Sequence, residues 1–374
     1  MIEKQRNDEV DIIRMIALIG ICIVNVPFMA QPLEAAFRAP ELWYDRLTAF
    51  AVEGLFQLKF FLLFSFIFGW GMSVQAKSAE RAGRSFSRRF FRRMGGLAII
   101  GVLHATLVFN GDILVLYALL GVLLWLIRGL SPRALLRFAA TMIPLSTLCL
   151  TILAVLIGAA MKNGSLEFPI DGPSLGGGFF EATQARINNW PATFVFLVFV
   201  QAPLAMGAFA CGLAAAQSDF FTLGSREFQR LGRAVPGLLL VAIPCNLLYA
   251  ATTSEMIPRS NELLGLLGFV SISLGGPALS AVYLYLIIRM TSGLRMPKML
   301  VLAGRNSLST YVLQGIIAGL LFGGYGMGLF GQFGLLALIP IAFAIALVAM
   351  LLVGVYATIF GRGPLEPVLR WISG

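Results

Sequence analysis

The sequence predicts an all-α, polytopic helical membrane protein with about ten transmembrane helices and both termini in the cytoplasm. Hydrophobic residues make up 58% of the 374 residues and charged residues only 12%, whereas soluble domains carry about 25% charged residues. The apolar residues form long runs, and a run of about 20 is enough to cross a bilayer. Basic residues lie mainly in the short segments between the runs, as is typical of membrane proteins.

Ten apolar segments have the length, or nearly the length, of a span. They are residues 12–29, 55–74, 94–109, 113–127, 135–161, 194–216, 235–251, 263–288, 307–322 and 335–359. The first has no small-residue cleavage site, so we expect a retained span and not a signal peptide. The third and fourth are short and flank Asn110 and Gly111, which predicts a tight helical hairpin at one membrane surface.

The charge distribution predicts the orientation. One side carries 22 of the 28 Lys/Arg and 8 of the 18 Asp/Glu, a net charge of 22 − 8 = +14. The other side carries 6 Lys/Arg and 10 Asp/Glu, a net charge of 6 − 10 = −4. Because the basic side contains both termini, we expect a multi-pass membrane protein with its termini in the cytoplasm.

The whole chain, residues 1–374, is predicted to form a single transmembrane domain. Two segments on the outer side are long enough to have structure of their own. Residues 31–53 mix charged and apolar residues with Trp43 and Tyr44, as an interfacial helix does, and residues 162–190 contain GPSLGGG and resemble a flexible outer flap. In the eighth span, Gly275, Gly276 and Pro277 predict a kink or a break.

Composition also limits the ligands. The four cysteines lie in apolar runs without CxxC spacing, so neither a disulfide framework nor a metal site is predicted. The net charge of +10 follows from membrane orientation and does not indicate a nucleic-acid partner. The expected partners are the bilayer and a small-molecule or lipid substrate; no tightly bound cofactor is predicted, and the sequence is compatible with an oligomer.

The only histidine, His104, is the strongest candidate for chemistry. It lies in an apolar run eight residues before Asp112, and ionisable groups at membrane depth are costly. A carboxylate can orient an imidazole that then acts as a general base or nucleophile. A hydrogen bond to a neighbouring helix is the simpler interpretation, and the spacing alone does not establish that the two residues meet.

Other polar groups lie in or beside the apolar runs. Asp11 and Arg14 share one face at the start of the first span, and Asn25 lies further along it. Lys59 is flanked by apolar residues at the outer end of the second span, where it either snorkels to the interface or holds an anionic group. Arg305 precedes the ninth span, in which Tyr311 and Gln314 form a polar stripe. Helix anchoring and interhelical hydrogen bonds are the structural alternatives.

No P-loop, Rossmann fingerprint, HExxH or GxSxG motif occurs. Several segments carry a family resemblance: DIIRMIALIGICIVN, KFFLLFSFIFGWG, RRMGGLAIIGVLHATLVFNGDILVLYALLG, GRNSLSTYVLQ and GRGPLEPVLRW. They resemble the YeiB-like family of bacterial inner-membrane proteins, whose function is largely uncharacterised, and more distantly the transmembrane acyltransferases. The resemblance implies motif positions at Asp11, Arg14, Lys59, His104, Asp112, Arg305, Tyr311 and Gln314. Met15 departs from the pattern, because the family usually has Gly there.

The resemblance implies an acyltransferase-like protein that moves an acyl group from a cytoplasmic donor, such as acyl-coenzyme A, to an acceptor at the outer face. His104 would be the general base or acyl carrier, oriented by Asp112. Arg14 and Arg305 would hold a phosphorylated donor, since guanidinium groups pair with phosphate. Asn25, Lys59, Tyr311 and Gln314 would line the acceptor cavity.

Two other classes stay open. A transporter or exporter of an anionic or amphipathic small molecule, without chemistry, explains the predicted break in the eighth span equally well. Transporters usually show internal repeats, and none is apparent. A structural or regulatory membrane protein is a third class, which the ionisable His104 and Lys59 at membrane depth disfavour.

Overall fold

The computed structural model describes residues 8–32, 40–163, 174–222, 224–257, 262–291 and 296–374. These residues form helices and connecting turns, with no strand among them. The helices are α1 Asp8–Ala30, α2 Trp43–Leu55, α3 Lys59–Arg81, α4 Phe86–Leu107, α5 Leu114–Ile127, α6 Pro132–Lys162, α7 Phe179–Gln217, α8 Arg226–Thr253, α9 Glu262–Thr291, α10 Lys298–Arg305, α11 Ser307–Phe322, α12 Leu335–Phe360 and α13 Leu365–Ser373.

The long apolar helices confirm the predicted fold class. Within the described ranges, eight helical segments are long and apolar enough to cross a membrane, with α2 and α3 taken together as one of them. The shorter apolar helices α5 and α11 lie at the remaining two predicted spans. The chain is therefore an all-α polytopic protein of the membrane class, and the number of crossings and the orientation stay predictions.

Helix α1 lies at the centre of the bundle. Its apolar residues are buried on nearly all sides, and it packs against α3, α9, α10, α11 and α12. Its first turn carries Asp8, Glu9 and Asp11, and acidic side chains are favourable near the positive end of the helix dipole. In contrast, α6 and α8 expose much of their apolar surface, for example at Val155 and Leu240. Such surface faces lipid in a membrane protein.

The second predicted span begins at a turn between α2 and α3. Leu58 separates α2 from α3 and has a φ of 66°, in the left-handed region that non-glycine residues rarely adopt. Lys59 therefore starts α3 and is not an internal residue of a continuous helix. Helix α2 covers the last part of the predicted interfacial helix at residues 31–53, of which residues 33–39 lie outside the described residues.

Two other predictions differ from the structure. Helix α9 continues through Gly275, Gly276 and Pro277, so the chain has no break there, and the predicted kink stays a prediction. Gly275 allows α9 to pack closely on α8, because a Cβ there would lie 2.8 Å from Nδ2 of Asn246. That nitrogen donates a 2.8 Å hydrogen bond to the Gly275 carbonyl. In the predicted outer flap, residues 164–173 lie outside the described residues, and residues 179–190 form the first turns of the long helix α7.

Asp45 ties α2 to the start of α12. Its buried carboxylate accepts a 2.7 Å hydrogen bond from the backbone N–H of Leu336. The first N–H groups of a helix have no partner within the helix, so this side chain supplies one from another part of the chain. The contact fixes one end of α12 against α2.

The predicted orientation is testable with two introduced cysteines. Gly178 precedes α7 on the predicted outer side, and Gly129 follows α5 on the predicted cytoplasmic side; at both, an added Cβ meets open space. In a background in which the four native cysteines are replaced by serine, a membrane-impermeant thiol reagent is expected to label Gly178→Cys from outside intact cells. Gly129→Cys is the matched control, expected to react only after the cells are opened. The reverse labelling pattern would contradict the orientation.

Candidate functional site

The structure brings His104 and Asp112 together. His104 lies in the last turn of α4, and the Nδ1 atom of its ring is 2.8 Å from Oδ1 of Asp112. A turn between α4 and α5 makes this contact, because the N–H of Phe109 bonds to the His104 carbonyl at 2.8 Å and the N–H of Asp112 bonds to the Phe109 carbonyl at 3.1 Å. The Asn110–Gly111 break between the two helices therefore folds the carboxylate back onto the imidazole.

The second oxygen of Asp112 is also engaged. It accepts a 2.8 Å hydrogen bond from the N–H of Leu114, the first residue of α5. An ionised carboxylate accepts hydrogen bonds and donates none, so with Asp112 ionised the proton in this contact is assigned to Nδ1 of His104. The neutral ring then has its lone pair on Nε2, which is the atom that can accept a proton or attack a carbon.

Nε2 of His104 is buried and has no hydrogen-bond partner among the described residues. It borders a small cavity of about 20 Å³, lined also by Cys22, Asn25, Tyr311 and Gln314. A cavity of this size admits about one water molecule. A side chain at Gly315 would close this space, since a Cβ there would lie 2.7 Å from Nε2.

The predicted polar stripe of α11 faces this cavity. The Tyr311 ring packs 5.1 Å from the imidazole, centroid to centroid, and its buried hydroxyl lies near the Asp112 carboxylate. The amide of Gln314 donates a long hydrogen bond of 3.4 Å to the carbonyl of Leu18. Asn25, Tyr311, Gln314 and His104 therefore share one cavity between α1, α4 and α11.

Arg14 and Arg305 form a separate polar cluster with the start of α1. Asp11 bonds both guanidinium groups, with Arg14 at 3.0 Å and Arg305 at 2.9 Å. Arg305 also lies 3.7 Å from Asp8. Gly304 allows this arrangement, because a Cβ there would overlap the carbonyl of Asp11. The sequence spacing placed Asp11 and Arg14 on one helix face, and the structure shows Arg305 as a second partner of Asp11.

Arg93 lies beside this cluster. Its Nε atom is buried without a hydrogen-bond partner among the described residues, and the charges that act on it are those of Arg14, Glu366 and Arg89. Glu366 is held by the N–H of Ser309 at 3.1 Å. This end of the bundle therefore holds several arginines in close proximity.

Lys59 lies apart from both groups. Its buried ammonium donates a 2.7 Å hydrogen bond to the Glu53 carbonyl and lies 5.8 Å from the centroid of the Tyr249 ring. The Glu53 carboxylate is its charged neighbour. The described residues that line the His104 cavity do not include Lys59. The structure therefore pairs this lysine within the α2–α3 corner.

Sequence reasoning missed one buried cation, Arg186. It lies on α7, inside the segment predicted as an outer flap, and is only 4% exposed. The helical spacing of the buried Ala182, Ala185 and Arg186 was the available signal that this segment is a packed helix. For metals, no group of three or more His, Cys, Asp or Glu side chains comes together in the part of the chain that the structure describes.

Comparisons with known proteins give a family and no activity. Residues 215–374 match the family model described as "Protein of unknown function (DUF418)". The chain is 26% identical to the uncharacterized protein YxaH of Bacillus subtilis (strain 168), over 98% of this chain and 94% of that protein. It is 25% identical to the uncharacterized protein YeiB of Escherichia coli (strain K12), over 99% and 96% respectively. No solved structure shows a significant match. These similarities support the resemblance to the YeiB-like family, and both relatives are described as uncharacterized proteins.

Proposed function

We propose that this protein is a membrane-embedded acyltransferase that moves an acyl group from a cytoplasmic donor to an acceptor at the outer face of the bacterial inner membrane. The observation that carries the proposal is the buried imidazole of His104, held by Asp112 at 2.8 Å, with a partner-free Nε2 at a cavity. A base oriented by a carboxylate is the arrangement that acyl-transfer chemistry uses repeatedly.

The imidazole has two available routes. As a general base, Nε2 takes the proton of the acceptor O–H or N–H while the acceptor attacks the thioester carbonyl carbon. The carbon–sulfur bond breaks, and the proton passes from His104 to the departing thiolate. As an acyl carrier, Nε2 itself attacks that carbon and expels the thiolate. The acceptor then attacks the acylated ring, the bond to Nε2 breaks, and the acceptor proton neutralises the thiolate.

Both routes develop negative charge on the carbonyl oxygen. Tyr311 and Gln314 border the same cavity as Nε2 and carry an O–H and an N–H group, which are donors suited to an oxyanion. The Gln314 amide is held by a single long bond of 3.4 Å, and a bond of that length is weak. We assign these two residues to the stabilisation of the oxyanion, and Asn25 to contact with the acceptor.

The donor site is proposed at the opposite end of the bundle. Arg14 and Arg305 lie together around Asp11, with Asp8 3.7 Å from Arg305. The charge of Arg93 also acts at this end of the bundle, and a group of guanidinium side chains suits a phosphate group. Arg14 and Asn25 are eleven residues apart on α1, or ~16 Å along the helix. A donor therefore needs a long, flexible arm between its phosphate and its thioester, which is the form of acyl-coenzyme A.

The cavity must widen for the reaction. At about 20 Å³ it does not hold an acyl group, and α1 and α11 are joined across it by the bond from Gln314 to Leu18. We propose that donor binding separates these helices. Substrate-driven opening and closure of packed elements is a common way to exclude water from a reactive site.

The first prediction concerns the imidazole. His104→Gln keeps a polar side chain and removes the base, and base catalysis contributes ~10²–10⁴-fold to rate. The assay uses proteoliposomes with ¹⁴C-acetyl-coenzyme A on one side and, on the other, acceptors from an extract of the producing cells. We expect the rate of label transfer to the acceptors to fall by this factor in the variant. Asp112→Asn is expected to cause a smaller loss, because the orienting charge is removed and the base remains.

Tyr117→Phe is the matched control for that experiment. It removes a buried hydroxyl that bonds Ser65 at 2.6 Å, away from the residues lining the His104 cavity, and we expect near-normal transfer. Equal transfer by wild type and His104→Gln would contradict the assignment of His104. Absence of transfer in both, together with solute flux in both, would instead favour a transporter.

The second prediction concerns the donor. A hydrogen bond to a charged group contributes roughly 1.5–3 kcal/mol, so Arg14→Ala and Arg305→Ala should each weaken coenzyme A binding about ten-fold or more. The measurement is the rise in unfolding temperature of the detergent-solubilised protein with coenzyme A. Arg230→Ala is the control, since Arg230 is exposed and pairs with Glu227 at 3.4 Å. Unchanged stabilisation in the Arg14 and Arg305 variants would exclude this donor site.

A further inference from the structure

A second small cavity adjoins the His104 cavity. It measures about 10 Å³, and Arg186, Asn110 and Gly319 are among its lining residues. Met29 and Phe109 line both cavities. These two side chains therefore lie between the His104 cavity and the Arg186 cavity.

Arg186 is a buried cation with few partners. One terminal nitrogen donates to the carbonyl of Leu107 at 2.9 Å, and the other donates to the hydroxyl of Tyr325 at 3.1 Å. The Tyr325 ring also lies 5.9 Å from the guanidinium carbon. In the described ranges of the chain, no carboxylate forms an ion pair with Arg186.

This arrangement is unlike that of the other buried or half-buried cations. Arg14 and Arg305 share Asp11, and Lys59 has the Glu53 carboxylate as a neighbour. A buried charge is strongly unfavourable unless an opposite charge or sufficient hydrogen bonds compensate it. A guanidinium offers five N–H donors in a fork that matches carboxylate and phosphate. The geometry around Arg186 is therefore that of an anion site.

Helix α11 sets the separation between the two sites. Gly315 lies beside Nε2 of His104, and Gly319 lies beside the Tyr325 hydroxyl that contacts Arg186. The two glycines are four residues apart, or ~6 Å along the helix. A small molecule that spans one helical turn would reach both the guanidinium and the imidazole.

We propose that Arg186 binds the carboxylate or phosphate group of the acceptor, whose hydroxyl or amine passes Phe109 to reach His104. The inference rests on the proposed acyl transfer for the role of the ligand, and on the structure alone for the anion site. The acceptor class is a small acidic metabolite or an anionic lipid headgroup, with its nucleophilic group roughly one helical turn, ~6 Å, from its charge.

The test uses inorganic phosphate as the probe, with the full-length protein in a neutral detergent. Phosphate is expected to raise the unfolding temperature of the wild type, and Arg186→Gln is expected to weaken its apparent affinity about ten-fold or more. Arg46→Gln is the matched control, because Arg46 lies on the same predicted side and donates a 2.6 Å hydrogen bond to a backbone carbonyl, that of Pro40. We expect it to bind phosphate as the wild type does.

A second measurement keeps Arg186 in place. In a background in which the native cysteines are replaced by serine, Leu175→Cys places a thiol at the Arg186 cavity, and phosphate is expected to slow its labelling. Protection by phosphatidylglycerol vesicles but not by phosphatidylcholine vesicles would support the proposal and identify the anion as a lipid headgroup. Protection by phosphate alone would support it and identify a soluble acceptor.

The outcomes separate this inference from the proposed reaction. His104→Gln should abolish transfer and leave phosphate binding at Arg186 intact. If the wild type binds phosphate through Arg186 but transfers no acyl group, the reaction is wrong and the anion site holds. Equal phosphate binding by wild type and Arg186→Gln, or no protection of the Leu175→Cys thiol by phosphate or by either kind of vesicle, would overturn the anion site.

Discussion

The proposed chemistry of this protein depends on the hydrogen bond between Nδ1 of His104 and Asp112. This bond joins the end of α4 to the start of α5 and fixes the orientation of the imidazole. The carboxylate is held at both oxygens, so it cannot turn away without leaving a buried group unpaired. The other ring nitrogen, Nε2, is left without a hydrogen-bond partner among the described residues, at the cavity that Tyr311 and Gln314 also line.

The buried and half-buried cations of the bundle differ in the groups that balance their charge. Asp11 holds two arginines at one end, and the Glu53 carboxylate accompanies Lys59 at the α2–α3 corner. Arg186 departs from this pattern, because its described partners are a carbonyl and a hydroxyl. The lack of a carboxylate partner is energetically unfavourable for Arg186 because the side chain is buried, and an uncompensated charge is most costly in a medium of low dielectric. We therefore propose that Arg14 and Arg305 bind the donor phosphate and that Arg186 binds the acceptor.

The helical fold could be predicted from composition and run length, because a membrane requires each spanning backbone to satisfy its own hydrogen bonds. The contact between His104 and Asp112 was less certain, since an eight-residue spacing across Asn110 and Gly111 allows several geometries. The placement of Lys59 depended on the turn at Leu58, and no local pattern predicts a left-handed leucine. Arg186 was missed because Gly-rich sequence before α7 obscured the start of that helix. Such positions depend on tertiary packing, which periodicity does not report.

The most direct test of the account is the protonation state of the ring nitrogens of His104. The chain has a single histidine, so ¹⁵N-histidine labelling of the protein, purified without a histidine tag and reconstituted in lipid, gives signals from this ring alone. At pH 8 the account predicts a protonated Nδ1 and a bare Nε2, with the Nδ1 signal shifted in Asp112→Asn. A protonated Nε2 at that pH, in the other tautomer or in the imidazolium form, would contradict the claim that this nitrogen is the base or nucleophile.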